Sequence, residues 1–289
     1  MSFSFNFALD GAAPASSAPS TPLTASSSAA TPLRNGERFF FSPKTHSSAA
    51  FSAVQVGDMT FEIVNTTDAG FLARTGAISS ILTTSDVQKG VYEGGFKLWE
   101  CAVDLVAFVE TQLRQSGAQM PSAVLELGCG HGLPGIHALQ RGAQRVVFSD
   151  YNKEVLELTT CPNVLRNVQQ LDSKAAFYAG AWTSVTRFMQ DVEQQSEEQM
   201  QFDLILTAET IYTEAVAVEL YQTIKRHLRR APNARALVAA KKYYFGTGGS
   251  VQHFVGLVQA DGVFRAETVW EERDCKSNIR EIVQLTYAA

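Results

Sequence analysis

The 289-residue chain has no uninterrupted apolar run near the roughly 18 residues of a membrane-crossing helix, so no membrane span is expected. Cysteine is scarce. Cys101, Cys129, Cys161 and Cys275 are widely separated and form no CxxC pair, which argues against a zinc site and a disulfide framework; no metal is expected. Positive charge is also short. Twenty-four Lys and Arg stand against 29 Asp and Glu, for a net charge of -5 and a pI near 5.6. That balance does not bind nucleic acid non-specifically, and no direct nucleic-acid site is expected. The first residues lack the basic segment and long apolar core of a secretory signal. A reducing intracellular compartment is expected, cytoplasmic and nuclear, since no basic cluster decides between the two. Residues 10–36 have almost no charge and few large apolar side chains, so 1–36 is expected to be a disordered low-complexity tail. Within it Phe3, Phe5 and Phe7 alternate with polar residues, which suits either a short docking strand or a tail.

Apolar side chains are plentiful, at 45% of the chain, enough for one sizeable core. Strand-like pieces at 53–56 and 59–65 flank Gly57-Asp58, a hairpin signal. Residues 37–92 read as an N-terminal extension packed on a main domain at 93–289. Thr83–Asp86 offers cap or turn chemistry. Residues 96–114 carry Leu98, Val103, Leu105, Val106, Val109 and Leu113 at helical spacing. Strands are then predicted at 123–128, 144–149, 175–179, 202–208 and 235–241, alternating with helices at 134–141, 153–168, 184–191 and 214–230. The alternation predicts an α/β fold with a parallel, doubly wound sheet. A helix at 250–260 and strands at 264–270 and 280–287, around the charged turn EERDCKSN, complete the chain.

The most informative stretch is VLELGCGHGLPG at 124–135. One apolar run stops at Gly128-Cys129-Gly130-His131-Gly132, and the next, Val146 to Phe148, leads to Asp150. Glycines at one strand end and an acid at the next describe a Rossmann-like pocket for a nucleoside-bearing ligand. Gly128 and Gly130 permit a tight turn and close approach to that ligand. Asp150 is placed to accept hydrogen bonds from ribose hydroxyls. The spacing is G-x-G-x-G, unlike the dinucleotide pattern G-x-G-x-x-G/A, and Glu126 precedes the first glycine by two residues. A carboxylate there repels a pyrophosphate and suits a cation. S-adenosylmethionine, with its sulfonium and ammonium, is favoured over a nicotinamide dinucleotide. Cys129 reads as a small filler of the loop rather than a nucleophile. His131 reads as a backbone contributor and His137 as structural.

In such a sheet the ligand crevice lies at the carboxyl ends of the strands. In order, those ends offer Gly128–Gly132, then Asp150, Tyr151 and Asn152, then Gly180, Ala181 and Trp182. Next come Ala208, Glu209, Thr210 and Tyr212, and last Tyr243 to Gly246. Trp182 suits stacking on adenine, and Tyr151 suits its flank. Asn152 either bonds the ribose or caps the helix beginning at Lys153. Glu209 is the candidate catalytic group, with a helix cap as the alternative, and Tyr212 suits the wall of an acceptor channel. Tyr244-Phe245-Gly246-Thr247-Gly248-Gly249 reads as a substrate loop or a plain turn.

Taken together, these residues resemble a known family. GVYEGGFKLWEC at 90–101 closely resembles the segment leading into the core of the histidine protein methyltransferases. LGCG at 127–130, DYN at 150–152, DLILTAETIY at 203–212 and YFG at 244–246 do so too. The likeness spans 90–250. MSFSFNF is similar to fungal members, while the N-terminal third otherwise matches poorly. The resemblance implies a Rossmann-like seven-strand methyltransferase sheet, mostly parallel with an antiparallel C-terminal strand, plus the N-terminal extension. It implies an enzyme that uses S-adenosylmethionine, leaving S-adenosylhomocysteine, to methylate a histidine imidazole nitrogen. The implied acceptor is the distal (tele) nitrogen in a large-subunit ribosomal protein, and a monomer is expected. Carried over, Lys97, Leu98, Trp99, Glu100, Cys101, Gly128, Asp150, Tyr151, Asn152, Gly180, Ala181, Trp182 and Ala208 would line the cofactor. Glu126, Cys129 and Gly130 join them from the loop. Glu93, Tyr212, Tyr244, Phe245 and Gly246 would meet the substrate. Two positions depart from the pattern: Ala208 stands where Ser is expected, and Thr247 replaces Val. Glu209 is favoured as acceptor for the imidazole N–H, ahead of Glu93 and a backbone carbonyl near Tyr244. Competing readings are a protein-lysine methyltransferase of the same fold, a non-catalytic S-adenosylmethionine-binding adaptor for a ribosomal protein and, more distantly, a dehydrogenase.

Overall fold

The computed structural model describes residues 33–40, 49–82, 84–169, 171, 173–272 and 278–288. The expected tail up to residue 32, Thr83, Cys275 and most of the closing turn lie outside the described residues. Three short apolar runs, β4 (Ala123–Leu127), β5 (Arg145–Asp150) and β6 (Ala175–Ala179), pair in parallel in the order β6-β5-β4. Parallel β7 (Leu204–Ala208) and β8 (Arg235–Lys241) extend the other side of β4. β4 is buried along its whole length, as expected of a central strand covered on both faces. β9 (Phe264–Glu272) and β10 (Arg280–Tyr287) close the sheet, with β10 inserted antiparallel between β8 and β9.

An eighth strand was not foreseen as part of this sheet. β1 (Glu37–Phe39) joins it antiparallel to β6, so residues 37–39 are part of the core sheet rather than a layer laid over it. Residues 33–36, expected to belong to the disordered tail, lie against the ends of the sheet. The Ala181 amide bonds the Arg34 carbonyl and anchors them. The hairpin of β2 (Phe51–Val56) and β3 (Met59–Val64) forms at Gly57-Asp58 and stays separate from the main sheet. It docks on the helix Cys161–Asn167, where Asn163 and Asn167 accept the Val64 and Glu62 amides.

Helix ends follow local chemistry. The helix Glu100–Ser116 begins later than its apolar spacing suggested and ends on left-handed Gly117. In the helix Glu214–His227, Thr213 caps the start, and Lys225 and Arg226 occupy the last turn, where the dipole favours cations. Between Lys153 and Asn167 the helix widens into a π turn at Leu156–Thr160, just ahead of Pro162, which cannot donate a helical bond. That widening turns Thr160 toward the glycine loop, where its hydroxyl donates to the Gly130 carbonyl at 2.5 Å.

Candidate active site

The strand order reverses direction of growth at β4, and a cavity of about 550 Å³ opens at the carboxyl ends of the strands there. At one end the loop after β4 meets Asp150 at the end of β5. Asp150 Oδ2 accepts the Gly130 amide at 2.9 Å, and Oδ1 accepts the Asn152 amide at 3.0 Å. Burial, with the nearby Glu93 charge, pushes the Asp150 carboxyl up to about 6 despite those two N–H bonds. Glu126 also lines the cavity, but its Oε2 accepts the Gly135 amide at 2.8 Å in the first turn of the helix Leu133–Gln140. Burial holds the Glu126 carboxyl well above the usual range, which disfavours the charge expected there, and its hydrogen bond satisfies one amide of that helix's first turn.

The glycines are fixed by the protein itself. A Cβ on Gly128 would stand 2.5 Å from Thr210 Cγ2. Thr210 in turn bonds Thr207, which bonds the Leu127 carbonyl. A Cβ on Gly180 would run into the Asn35 carbonyl oxygen. Gly128 lines the cavity in the left-handed turn expected of it, and its missing Cβ also seats the end of β7 against the end of β4. His131 contributes more than backbone. Its buried Nε2 bonds the Phe96 carbonyl at 2.9 Å and Asn163 bonds Nδ1, tying the loop to residues 90–101; burial depresses the ring to about 4.

Gly95 lies against Gly130 and Asp150, while the other end of the cavity is formed by the end of β7, Glu93 and Lys97–Trp99. Glu209 lines it in a left-handed conformation, φ +61°, which is strained for a residue with a side chain. Its Oε2 accepts the Tyr244 hydroxyl at 2.7 Å. Its buried Oε1 has no hydrogen-bond partner among the described residues, and Lys241 Nζ lies 3.8 Å away. Two ammonium groups lie near the ring of Trp99, Lys97 at 4.6 Å and Lys241 at 5.1 Å from its centroid, and its Nε1 donates to the Gly94 carbonyl. The Tyr212 hydroxyl donates to Glu93, whose other oxygen accepts the Gly90 amide. Burial, then the charges of Glu93 and other nearby acids, holds the Tyr212 phenol well above its usual range.

Of the residues singled out from the sequence, the cavity wall contains Glu93, Lys97, Leu98, Trp99, Glu126, Gly128, Cys129, Gly130, Asp150, Tyr151, Gly180, Ala181, Trp182, Ala208, Glu209 and Tyr212. Six others stand apart from the wall. Cys101 is buried in the first turn of its helix, and Glu100 faces Arg280 at 3.8 Å. Asn152 is fully buried and clamps the Glu93 amide and Val91 carbonyl, which stabilises the wall from behind. Tyr244 stands behind the wall, where its hydroxyl donates to Glu209 and accepts the Lys241 amide, while Phe245 is 78% exposed and Gly246 lies beyond it in the turn. Sequence reasoning missed Leu33, Gly95 and Glu219, which also line the cavity. No sequence signal marked Leu33. Glu219 is a helix acid facing inward, and only its position on the Glu214–His227 helix distinguishes it.

A parallel sheet in the order β6-β5-β4-β7-β8-β10-β9, with its last strand antiparallel and a glycine loop facing an acid, is the fold of the seven-strand methyltransferases. Residues 81–257, more than half the chain, match the family model described as lysine methyltransferase, and the chain belongs to that family. It is 39% identical over 207 residues to "Histidine protein methyltransferase 1 homolog" of Dictyostelium discoideum, covering 71% of this chain and 62% of that one. It is 37% identical to the protein of the same name from Bos taurus, covering 66% of this chain and 55% of that one. The chain therefore spans less than two thirds of the length of these relatives. To "Histidine protein methyltransferase 1" of Schizosaccharomyces pombe it is 29% identical, covering 68% of this chain and 70% of that one.

Proposed function

We propose that this chain is a protein methyltransferase that uses S-adenosylmethionine and modifies a histidine imidazole nitrogen. One observation carries the reading. A single cavity joins a nucleoside cradle around Asp150 to a buried carboxylate, Glu209, one oxygen of which makes no hydrogen bond among the described residues and has only Lys241 Nζ at 3.8 Å near it. The names of the relatives supply the acceptor class. The likeness at 90–101 supports the finer reading, the distal nitrogen of a histidine in a large-subunit ribosomal protein. A monomer working in cytoplasm and nucleus completes the proposal.

The residues suit the donor. The Asp150 carboxylate would take ribose hydroxyls, Trp182 and Tyr151 would flank adenine, and the acids Glu93 and Glu209 favour a cationic ligand. Bound there, S-adenosylmethionine supplies an electrophilic methyl group on a sulfonium. The chain's own task is to present the acceptor. A neutral imidazole has one N–H and one lone pair. Glu209 Oε1 accepts the N–H, fixes the tautomer and leaves the other nitrogen's lone pair facing the methyl. The positive charge that the ring gains lies beside Glu209 and Glu93, and the ring proton leaves toward Glu209. Tyr244 positions Glu209 through Oε2.

The description of the family model favours a second reading, lysine as acceptor. Trp99 and Tyr212 would then wall an aromatic channel. The test is labelled S-adenosylmethionine with ribosomes or extract from cells lacking the protein, followed by fragmentation that localises the methyl. Methyl on a ribosomal-protein histidine, lost with Asp150→Ala, is expected. Methyl on lysine would replace the first reading with the second. Donor binding without any transfer would leave only the adaptor reading.

A further inference from the structure

The residues just before β1 do something the methyl-donor site does not explain. They cross the nucleoside end of the cavity and are held there by three separate walls. Leu33 lines the cavity itself. Arg34 reaches in three directions: Nη2 donates to the Val91 carbonyl at 3.0 Å, Nη1 meets Glu154 at 3.3 Å, and the guanidinium lies 5.3 Å from the centroid of the Tyr151 ring. Val91 belongs to the segment leading into the core, Tyr151 follows β5, and Glu154 begins the next helix. The Arg34 carbonyl accepts the Ala181 amide after β6. One arginine thus ties together the loops that enclose this end.

The seat for this segment is cut into the fold. A Cβ on Gly180 would strike the Asn35 carbonyl, and a Cβ on Gly36 would strike the Ser184 carbonyl and the Val185 amide. Backbone lies directly on backbone at both points, which only glycine allows. The strap then continues into β1, whose Glu37 pairs with Lys153 at 2.7 Å and whose backbone pairs with β6. A loosely associated tail needs neither glycine.

We propose that Leu33–Gly36 is a built strap forming the outer wall of the cofactor's nucleoside end, with Arg34 as the positioning residue that sets how tightly and how long the cofactor is held. The proposal rests on the reading of the cavity as an S-adenosylmethionine site. Holding several loops in the bound arrangement in advance lowers the ordering cost of binding. Lifting the strap raises that cost and opens an exit.

The experiment uses the full chain with S-adenosylhomocysteine as probe, measuring Kd by calorimetry and the release rate by rapid mixing. Arg34→Ala removes the three-way tie. Gly36→Ala alters no cavity-lining residue yet displaces the strap from the sheet. Thermal melts confirm that both variants are folded. Both should bind roughly tenfold more weakly, mainly through faster release, with KM for the donor raised and kcat retained. Unchanged affinity in both folded variants overturns the strap. Loss in Arg34→Ala alone also overturns it, since the guanidinium would then act only on its immediate neighbours. A wild-type chain that binds no S-adenosylhomocysteine defeats the donor reading itself, and the strap with it.

Discussion

The two ends of the cavity are built on opposite principles. At the nucleoside end both acids are satisfied by backbone: Asp150 holds two amides and Glu126 holds a third. At the acceptor end Glu209 and Glu219 each keep a buried oxygen without a hydrogen-bond partner among the described residues, and Glu209 sits in a strained backbone conformation. Buried polar atoms without partners cost about 1–3 kcal/mol each and are uncommon in folded proteins. The first end is organised before any ligand arrives. The second holds polarity that a substrate group can satisfy, so binding energy and acceptor chemistry are separated within one cavity.

That separation is open to attack by mutation. The largest effect is expected for Asp150→Ala, which removes the ribose acceptor and frees two backbone amides. S-adenosylmethionine affinity should fall roughly a hundredfold or more, as read by calorimetry on folded protein. A variant that kept its affinity but lost turnover would erase the distinction between the ends. Glu209→Gln should do the reverse. Its donor affinity should stay within about twofold of wild type while turnover at saturating donor drops on the order of a hundredfold. Full turnover by this variant would remove Glu209 from the mechanism.

How much of this was legible in the sequence differs between the same two ends. The strands β4 to β8 and their crossover helices were readable because buried parallel strands are short apolar runs with turn residues at their ends. The cradle of glycines and Asp150 was readable for the same reason, since its parts are adjacent in sequence to strand ends. The reason for each glycine was not readable. Thr210 packs on Gly128 from 82 positions away, and Asn35 packs on Gly180 from farther still. The strap was missed because Leu33–Gly36 directly follows a stretch rich in Ala, Ser and Pro and was read with it, and what holds it is backbone contact plus one arginine. At the acceptor end Tyr244 was expected to meet substrate and instead meets Glu209. Phe245, its exposed neighbour, was indistinguishable from it by residue type alone.

The Tyr244–Glu209 contact gives a smaller, sharper test. Tyr244→Phe keeps the buried ring and deletes only the hydroxyl that donates to Oε2. A hydrogen bond to a charged group contributes about 1.5–3 kcal/mol, so turnover should fall roughly tenfold, with donor affinity unchanged. If turnover is unaffected, the carboxylate is held by Lys241 and the surrounding packing, and Tyr244 is only a core residue.

The smallest expected effect is in pH dependence, and it separates the ends without perturbing the acceptor. Asp150 rises from 3.8 to about 6 in the folded chain, with burial as the main cause. Between those values the native state holds a proton that the unfolded chain has lost. The resulting stability is present below about 3.8 and disappears as pH rises through about 6. Donor binding has the opposite sign, because ribose hydroxyls need the carboxylate as acceptor. Affinity should therefore climb as pH rises toward about 7, by at most about tenfold per unit on the acid side of the transition. Asp150→Asn cannot titrate and should flatten both slopes, which isolates this group from Glu126, also raised by burial. Calorimetric titrations of wild type and Asp150→Asn across this range decide the matter. An affinity profile in the wild type that is level through pH 6 would mean that Asp150 recognises the ligand equally well when protonated, and that its two backbone bonds, rather than its charge, define the nucleoside end.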